Sequence, residues 1–176
     1  MRFWLIVISV FTLAACKGPT EIVDPKPLSG IDRDAALTDA RRFLGSDAKI
    51  VAICGPSVGR ILYLDRDVAK IEPDSIKDGV IALGFDANGK PDVVHRDAFK
   101  KMIRVTEDSG EITFIPQPGD DNLGTWSIVF RATGIVESHS LVRKPTGDLY
   151  DLWTSTRNYG LTLPRSLVFL SKCEAV

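Results

Sequence analysis

The chain has 176 residues, 44% hydrophobic and 26% charged, with 22 basic and 23 acidic side chains and a formal net charge of -1. This is globular composition rather than disordered or fibrous, and the length suits one compact domain with short extensions. The near-neutral balance excludes the basic footprint of a nucleic-acid partner and a polybasic membrane patch.

Met1-Arg2 makes a minimal positive start, and Phe3 to Ala15 is an uncharged, mostly apolar run. The run falls short of the about 20 residues that cross a bilayer, and it has the length of a signal-peptide core. Leu13-Ala14-Ala15-Cys16, directly after it, resembles the lipobox of bacterial lipoproteins. The resemblance implies a signal peptide over 1–15, cleavage before Cys16, diacylglycerol in thioether linkage on that cysteine, and acylation of the new amino terminus. The expected partner is then the membrane itself, held through lipid, because each buried CH₂ contributes about 0.8 kcal/mol and two chains hold where one does not. The implied address is the cell envelope, facing the periplasm. Lys17 after the acceptor favours the outer membrane over the inner. The alternative is a secretory signal cut at the same place, which leaves Cys16 a spare thiol in an oxidising compartment.

Residues 16–30 read as a lipid-anchored tether, with three prolines and two glycines and little apolar periodicity. Residues 31–176 read as one globular domain. Its single helix is expected over 31–45: Ser29 with Asp32 resembles a capping box, Asp32 and Asp34 suit the N-terminal dipole, and Ala36, Ala40, Phe43 and Leu44 share a face. Arg41 and Arg42 suit the other end, and Gly45 is a natural stop.

From 49 to 173 the pattern is β. Lys49 to Cys54 and Ile61 to Leu64 read as short strands. Gly79–Phe85 and Pro91–His95 flank Asn88-Gly89, a strong hairpin signal. Lys101–Thr106 and Glu111–Ile115 flank residues 107–110 and read as a second hairpin. Residues 116–124 read as a polar loop. Trp126, Ile128 and Phe130 alternate with Ser127, Val129 and Arg131, giving a strand with one apolar face. Strands are expected over 135–143, 149–156 and 167–173, with turns at Pro145–Asp148 and Asn158–Gly160. Hairpin-length connections without interleaved helices predict a mainly β fold: an antiparallel meander, barrel-like or strongly curved, with one N-terminal amphipathic helix.

Two further cysteines close apolar runs, Cys54 after Lys49–Ile53 and Cys173 after Ser166–Lys172. Export favours a disulfide between them, which would join the first and last strands across a barrel seam. Free buried thiols are one rival. A zinc site with His95 and His139 is another, but it lacks the close ligand spacing of such sites. No metal or other cofactor is expected.

Gly55-Pro56-Ser57-Val58-Gly59 matches the nucleophile elbow of α/β-hydrolases letter for letter. That elbow needs a helix after it, and Arg60–Leu64 reads as a strand. The elbow also needs a histidine in reach, and His95 and His139 both fall mid-strand in positions that read as polar-facing. The segment therefore reads as a strand-to-strand loop, and no catalytic residue is assigned; a serine hydrolase using Ser57 is the disfavoured alternative. Asp120-Asp121 and Asp65/Asp67 read as solvated turn residues rather than calcium ligands. Trp126, Trp153 and Tyr150 read as core rather than pocket.

Cys54-Gly55-x-Ser57-x-Gly59-x-x-x-Tyr63, with a cysteine near the C-terminus, resembles a group of small exported bacterial proteins with no assigned function. A looser similarity is to periplasmic inhibitors of C-type lysozyme, small lipid-anchored β-barrels with a terminal disulfide and a presented Ser-Gly-x-x-Tyr loop. Here the order is Ser57-Val58-Gly59 with Tyr63 further on and Asn158-Tyr159-Gly160 elsewhere. The expectation is a lipid-anchored envelope protein, a non-enzymatic binding or structural module whose partner is an envelope protein or small ligand. An inhibitor of an envelope-attacking enzyme is the alternative.

Overall fold

A computed structural model describes residues 32–65, 68–96, 101–157 and 164–176. The expected leader, tether and lipid acceptor Cys16, with Ser29 and the turn at 158–160, lie outside the described residues.

The helix α1 spans Arg33–Leu44. Asp32 is its N-cap, accepting from the Ala35 amide at 3.0 Å, so it caps the helix rather than standing three residues inside a capping box. Gly45 ends the helix at φ 106°, where its amide still reaches Arg41 O. Ala36, Ala40 and Leu44 are buried against Ile50, Ile53, Val80, Ala82, Val94 and Met102, with Phe43 partly buried beside them. This helix thus covers one part of the sheet from outside. No helix among the described residues is long and apolar enough to cross a membrane.

Ten strands follow among the described residues: β1 Lys49–Asp65, β2 Val68–Ile76, β3 Ile81–Phe85, β4 Pro91–Arg96, β5 Met102–Arg104, β6 Glu111–Gln117, β7 Asp120–Phe130, β8 Ile135–Arg143, β9 Leu149–Arg157 and β10 Arg165–Ala175. They form one antiparallel sheet in the order β5-β4-β3-β1-β10-β9-β8-β7-β6, with β2 also on β1. The sheet curls strongly into a half-barrel. The curl brings β7 across to β3, where Trp126 Nε1–H donates to Gly84 O at 3.0 Å and the Phe85 and Phe114 rings pack on the indole. Leu83, Val93, Val105, Trp126, Ile128 and Leu141 fill the concave side. The mainly β meander with one helix is the fold that the sequence predicts.

Several elements differ from expectation. The two strands expected at 49–54 and 61–64 are one strand of 17 residues. Gly55–Gly59 is therefore no loop. Along β10, Cys54 pairs with Cys173 and Ser57 with Ser171, so β1 carries one extra residue there, a bulge. Pro56 has no amide to give the ladder, which is why the register slips at that point. The bulge is also where the neighbour on the other edge changes, from β3 along Lys49–Cys54 to β2 along Ser57–Asp65. Beyond it, a Cβ on Gly59 would collide with the Val168 carbonyl and the Phe169 ring. The motif's second glycine serves this close strand approach.

The Asn88-Gly89 hairpin forms as expected, with Asp86 accepting from the Asn88 and Lys90 amides and Gly89 at φ 76°. The second hairpin does not form. The strand β5 pairs with β4, residues 105–110 turn, and β6 leaves for the opposite edge to pair with β7. A polar clamp holds β5: Asp92 accepts from Arg104 Nε at 2.5 Å and Thr106 Oγ1 at 2.6 Å, and buried Val105 pins the turn. The loop expected at 116–124 shrinks to a turn around Pro118-Gly119. The disulfide Cys54–Cys173 is present and joins directly paired residues of β1 and β10. It links the first and last strands inside the ladder, not across a seam; the free ends of the sheet path are β5 and β6.

Candidate functional site

Strand β8 inverts the usual alternation. Glu137, His139 and Leu141 point to the concave side, while Val136 and Val142 face solvent at 49% and 42% exposure. The next strands do the same: Asp151 and Ser155 of β9 and Ser171 of β10 are buried, while Leu152 and Val168 are outside. Because strand side chains alternate, burying Leu141 in the core forces the even-numbered valines outward and draws the polar odd positions inward. His139, expected on a polar face, is 3% exposed.

Burial is tolerable because these groups find partners. His139 Nδ1–H donates to Asp151 Oδ2 at 2.8 Å. Burial works against the charged imidazole, but the Asp151 charge and hydrogen bond, with the Glu137 charge, outweigh it and raise the His139 pKa. Glu137 accepts from Ser155 Oγ at 2.9 Å and Arg157 at 3.3 Å. Trp153 is stacked between His139 and Phe169, with ring centroids 5.5 and 5.4 Å away. On these strands, three buried atoms have no hydrogen-bond partner among the described residues: Trp153 Nε1, Asp151 Oδ1 and Ser171 Oγ.

This polar floor opens on a cavity of 330 Å³ at one end of the half-barrel. Ser57, His95, Glu137, His139, Trp153 and Arg157 line it, interleaved with apolar Ile76, Ile81, Phe130 and Ile135. Its size falls in the range of small-molecule sites, which combine apolar walls with a few fixed polar groups. A second hollow of 490 Å³ lies on the convex side between β2, β10 and β9, where Val58, Leu152, Val168 and Leu170 dominate. It lacks a buried polar cluster, so the concave cavity is the better candidate despite its smaller volume.

Ser57 and His139 share this cavity, yet they do not form a nucleophile–base pair. Ser57 pairs with Ser171 of β10, and Ser171 with Asp151 of β9. Two strand spacings put the Ser57 and Asp151 backbones about 10 Å apart, and His139 lies one strand further. Activation needs contact near 3 Å. Among the described residues no hydrogen bond joins Ser57 to His139. Ser57, Gly59 and Tyr63 all belong to β1, so they are not a presented loop of the lysozyme-inhibitor kind.

Of the other candidates, Trp126 and Tyr150 are core and Trp153 is a cavity residue. Asp120 caps its own turn by accepting from the Asn122 amide. Among the described residues no group of three metal-ligating side chains occurs. The His139–Asp151–Glu137 cluster escaped the sequence reading. Its signal was the run Glu137-Ser-His-Ser140 facing Asp151 and Ser155 across a short turn. Comparison of the chain with protein-family models, curated proteins and solved structures finds no match in any of the three.

Proposed function

We propose that this chain is a lipid-anchored cell-envelope protein whose half-barrel acts as a non-enzymatic binding module for a small ligand. The anchor would be lipid on Cys16, holding the domain on the periplasmic side of a membrane, with the outer membrane favoured by Lys17. The Cys54–Cys173 disulfide supports an exported setting. The observation that carries the binding role is the concave cavity lined by Ser57, Glu137, His139 and Trp153, with His139 held by buried Asp151 behind it. Polar groups turned inward at the cost of valines outside are hard to explain by stability alone.

The test is a photo-crosslinking residue at Ile135, on the cavity wall, in the full chain expressed in its envelope, compared with the same residue at exposed Val142. Binding in the cavity predicts a small-molecule adduct at position 135 and none at 142. Adducts at 142 alone would place recognition on the convex face and refute the reading. A fluorophosphonate probe is expected to leave Ser57 unlabelled; stoichiometric labelling would restore the hydrolase alternative.

A further inference from the structure

We propose that the bare part of the sheet's outer face pairs with the same face of a second copy of this chain. The cavity opens on the other side of the sheet, so the two readings stand or fall separately.

The outer face is only partly covered. Helix α1 lies over Ile50, Ile53, Val80, Ala82 and Val94. Beyond it, Ile115, Val129, Val136, Leu152 and Val168 stand 37–57% exposed. The strand register makes these one surface rather than scattered side chains. Directly opposed residues share a face, so Ile115, Thr125, Ser140, Leu152, Leu170 and Val58 form a row across β6, β7, β8, β9, β10 and β1. Two further rows, starting at Thr113 and at Glu111, run beside it. Their charges stand at the margins: Glu111, answered by Arg131 at 2.6 Å, and Arg60 of β1. The middle strands, β8 and β9, add none to these rows.

The hydroxyls of the rows are turned to one another. Thr125 bonds Ser140 at 2.9 Å, Ser138 bonds Thr154 at 2.7 Å, and Thr156 bonds Ser166 at 3.4 Å. Groups already paired within the sheet lose less when water leaves, so this face can be covered without stranding its polar atoms. Contiguous exposed aliphatic groups between such pairs mark an interaction surface.

Charge, shape and size select a second copy. A two-fold contact sets residues on the axis against their own copies, where a charge would meet itself, and the central strands hold none. A foreign partner would be recognised by charges placed against its own. Two evenly convex faces touch only along a crest, but here a hollow of 490 Å³ lies between β2 and Leu152, floored by Val58, Val168 and Leu170. A two-fold axis along β9 lays the β7–β8 side of each copy over the hollow of the other. Six strands at about 4.8 Å and three rows at about 6.7 Å cover about 600 Å² in projection, of the order of the roughly 800 Å² of accessible surface that each partner buries in a standard interface. A lipid surface fits less well, because the rows hold no aromatic side chain and membrane-seated faces favour Trp, Phe and basic groups.

The test follows the full chain, purified from membranes in density-matched detergent, by sedimentation velocity over a dilution series. The parent is expected to sediment as a reversible dimer. Leu152→Asp and Leu152→Lys, at an exposed position, each set like charges together across the axis and should weaken self-association by about tenfold or more. Mixing the two variants sets unlike charges together and should restore a dimer. Lys90→Asp, on the exposed Asn88-Gly89 hairpin, should match the parent. A parent that stays monomeric at every concentration, a Leu152 variant that dimerises like the parent, or a mixture of folded variants that stays monomeric overturns the inference. A spin label on Leu152→Cys gives a second reading in membranes. Label-to-label broadening that dilution with unlabelled chain removes supports the dimer. Absence of broadening refutes it, and lipid contact at the label would then give the face to the bilayer.

Discussion

His139 and Asp151 carry the most consequence per residue. Their side chains are 4% and 0% exposed, and His139 Nδ1–H donates to Asp151 Oδ2 at 2.8 Å. Removing one partner leaves a buried charge uncompensated, so Asp151→Ala should cost about 3–5 kcal/mol, read as a fall in the urea midpoint. The pair also makes stability depend on pH in a known direction. The folded state raises the His139 pKa above its ordinary 6.5, so the native protein holds this proton more tightly than the unfolded chain. That stabilisation is complete below pH 6.5 and is lost as pH rises through the folded-state pKa. Urea midpoints between pH 6 and 9 should therefore decline, and His139→Gln should flatten the decline. A midpoint that rises with pH equally in both proteins would contradict the assignment.

At the scale of elements, β1 decides the architecture. It pairs with β10 on both sides of the bulge, where the register shifts by one residue, and there it changes its other partner from β3 to β2. Gly59 permits the close approach of Phe169 just past that bulge. Gly59→Val should destabilise by about 1–3 kcal/mol through overpacking, visible as a lower melting temperature. The disulfide pins the same strand to β10 before the bulge. Its loop separation of 119 gives about 4–5 kcal/mol in the chain-entropy description, so Cys54→Ala with Cys173→Ala should lower stability by that order in equilibrium unfolding. A double variant as stable as the parent would show that the ladder alone holds these strands.

Over the whole molecule, the legible parts are those where one local signal decides. Asn88-Gly89 permits only a tight turn between apolar runs, and Trp126, Ile128 and Phe130 expose one apolar face to any partner sheet. The illegible parts depend on tertiary context. Gly110 between apolar runs looks like a hairpin, but Asp92, contributed by β4, captures Arg104 and Thr106 and sends β6 to the far edge. Strand β2, with Glu72-Pro73-Asp74-Ser75, has no apolar alternation because it is an edge strand ordered by the β1 ladder. The cavity was hidden for a related reason. Hydrophobic patterning puts Val136 and Val142 inside and His139 outside, and only Leu141 in the core together with partners on β9 reverses that.

Native mass spectrometry of the protein purified from membranes tests the central claim most directly. The account predicts a chain beginning at Cys16 with diacylglycerol attached, carrying an additional small-molecule mass that leaves on collisional activation and is missing from an Ile135→Trp variant with a filled cavity. A chain with an unmodified Cys16 thiol and no bound mass, or a bound mass retained unchanged in Ile135→Trp, would contradict it.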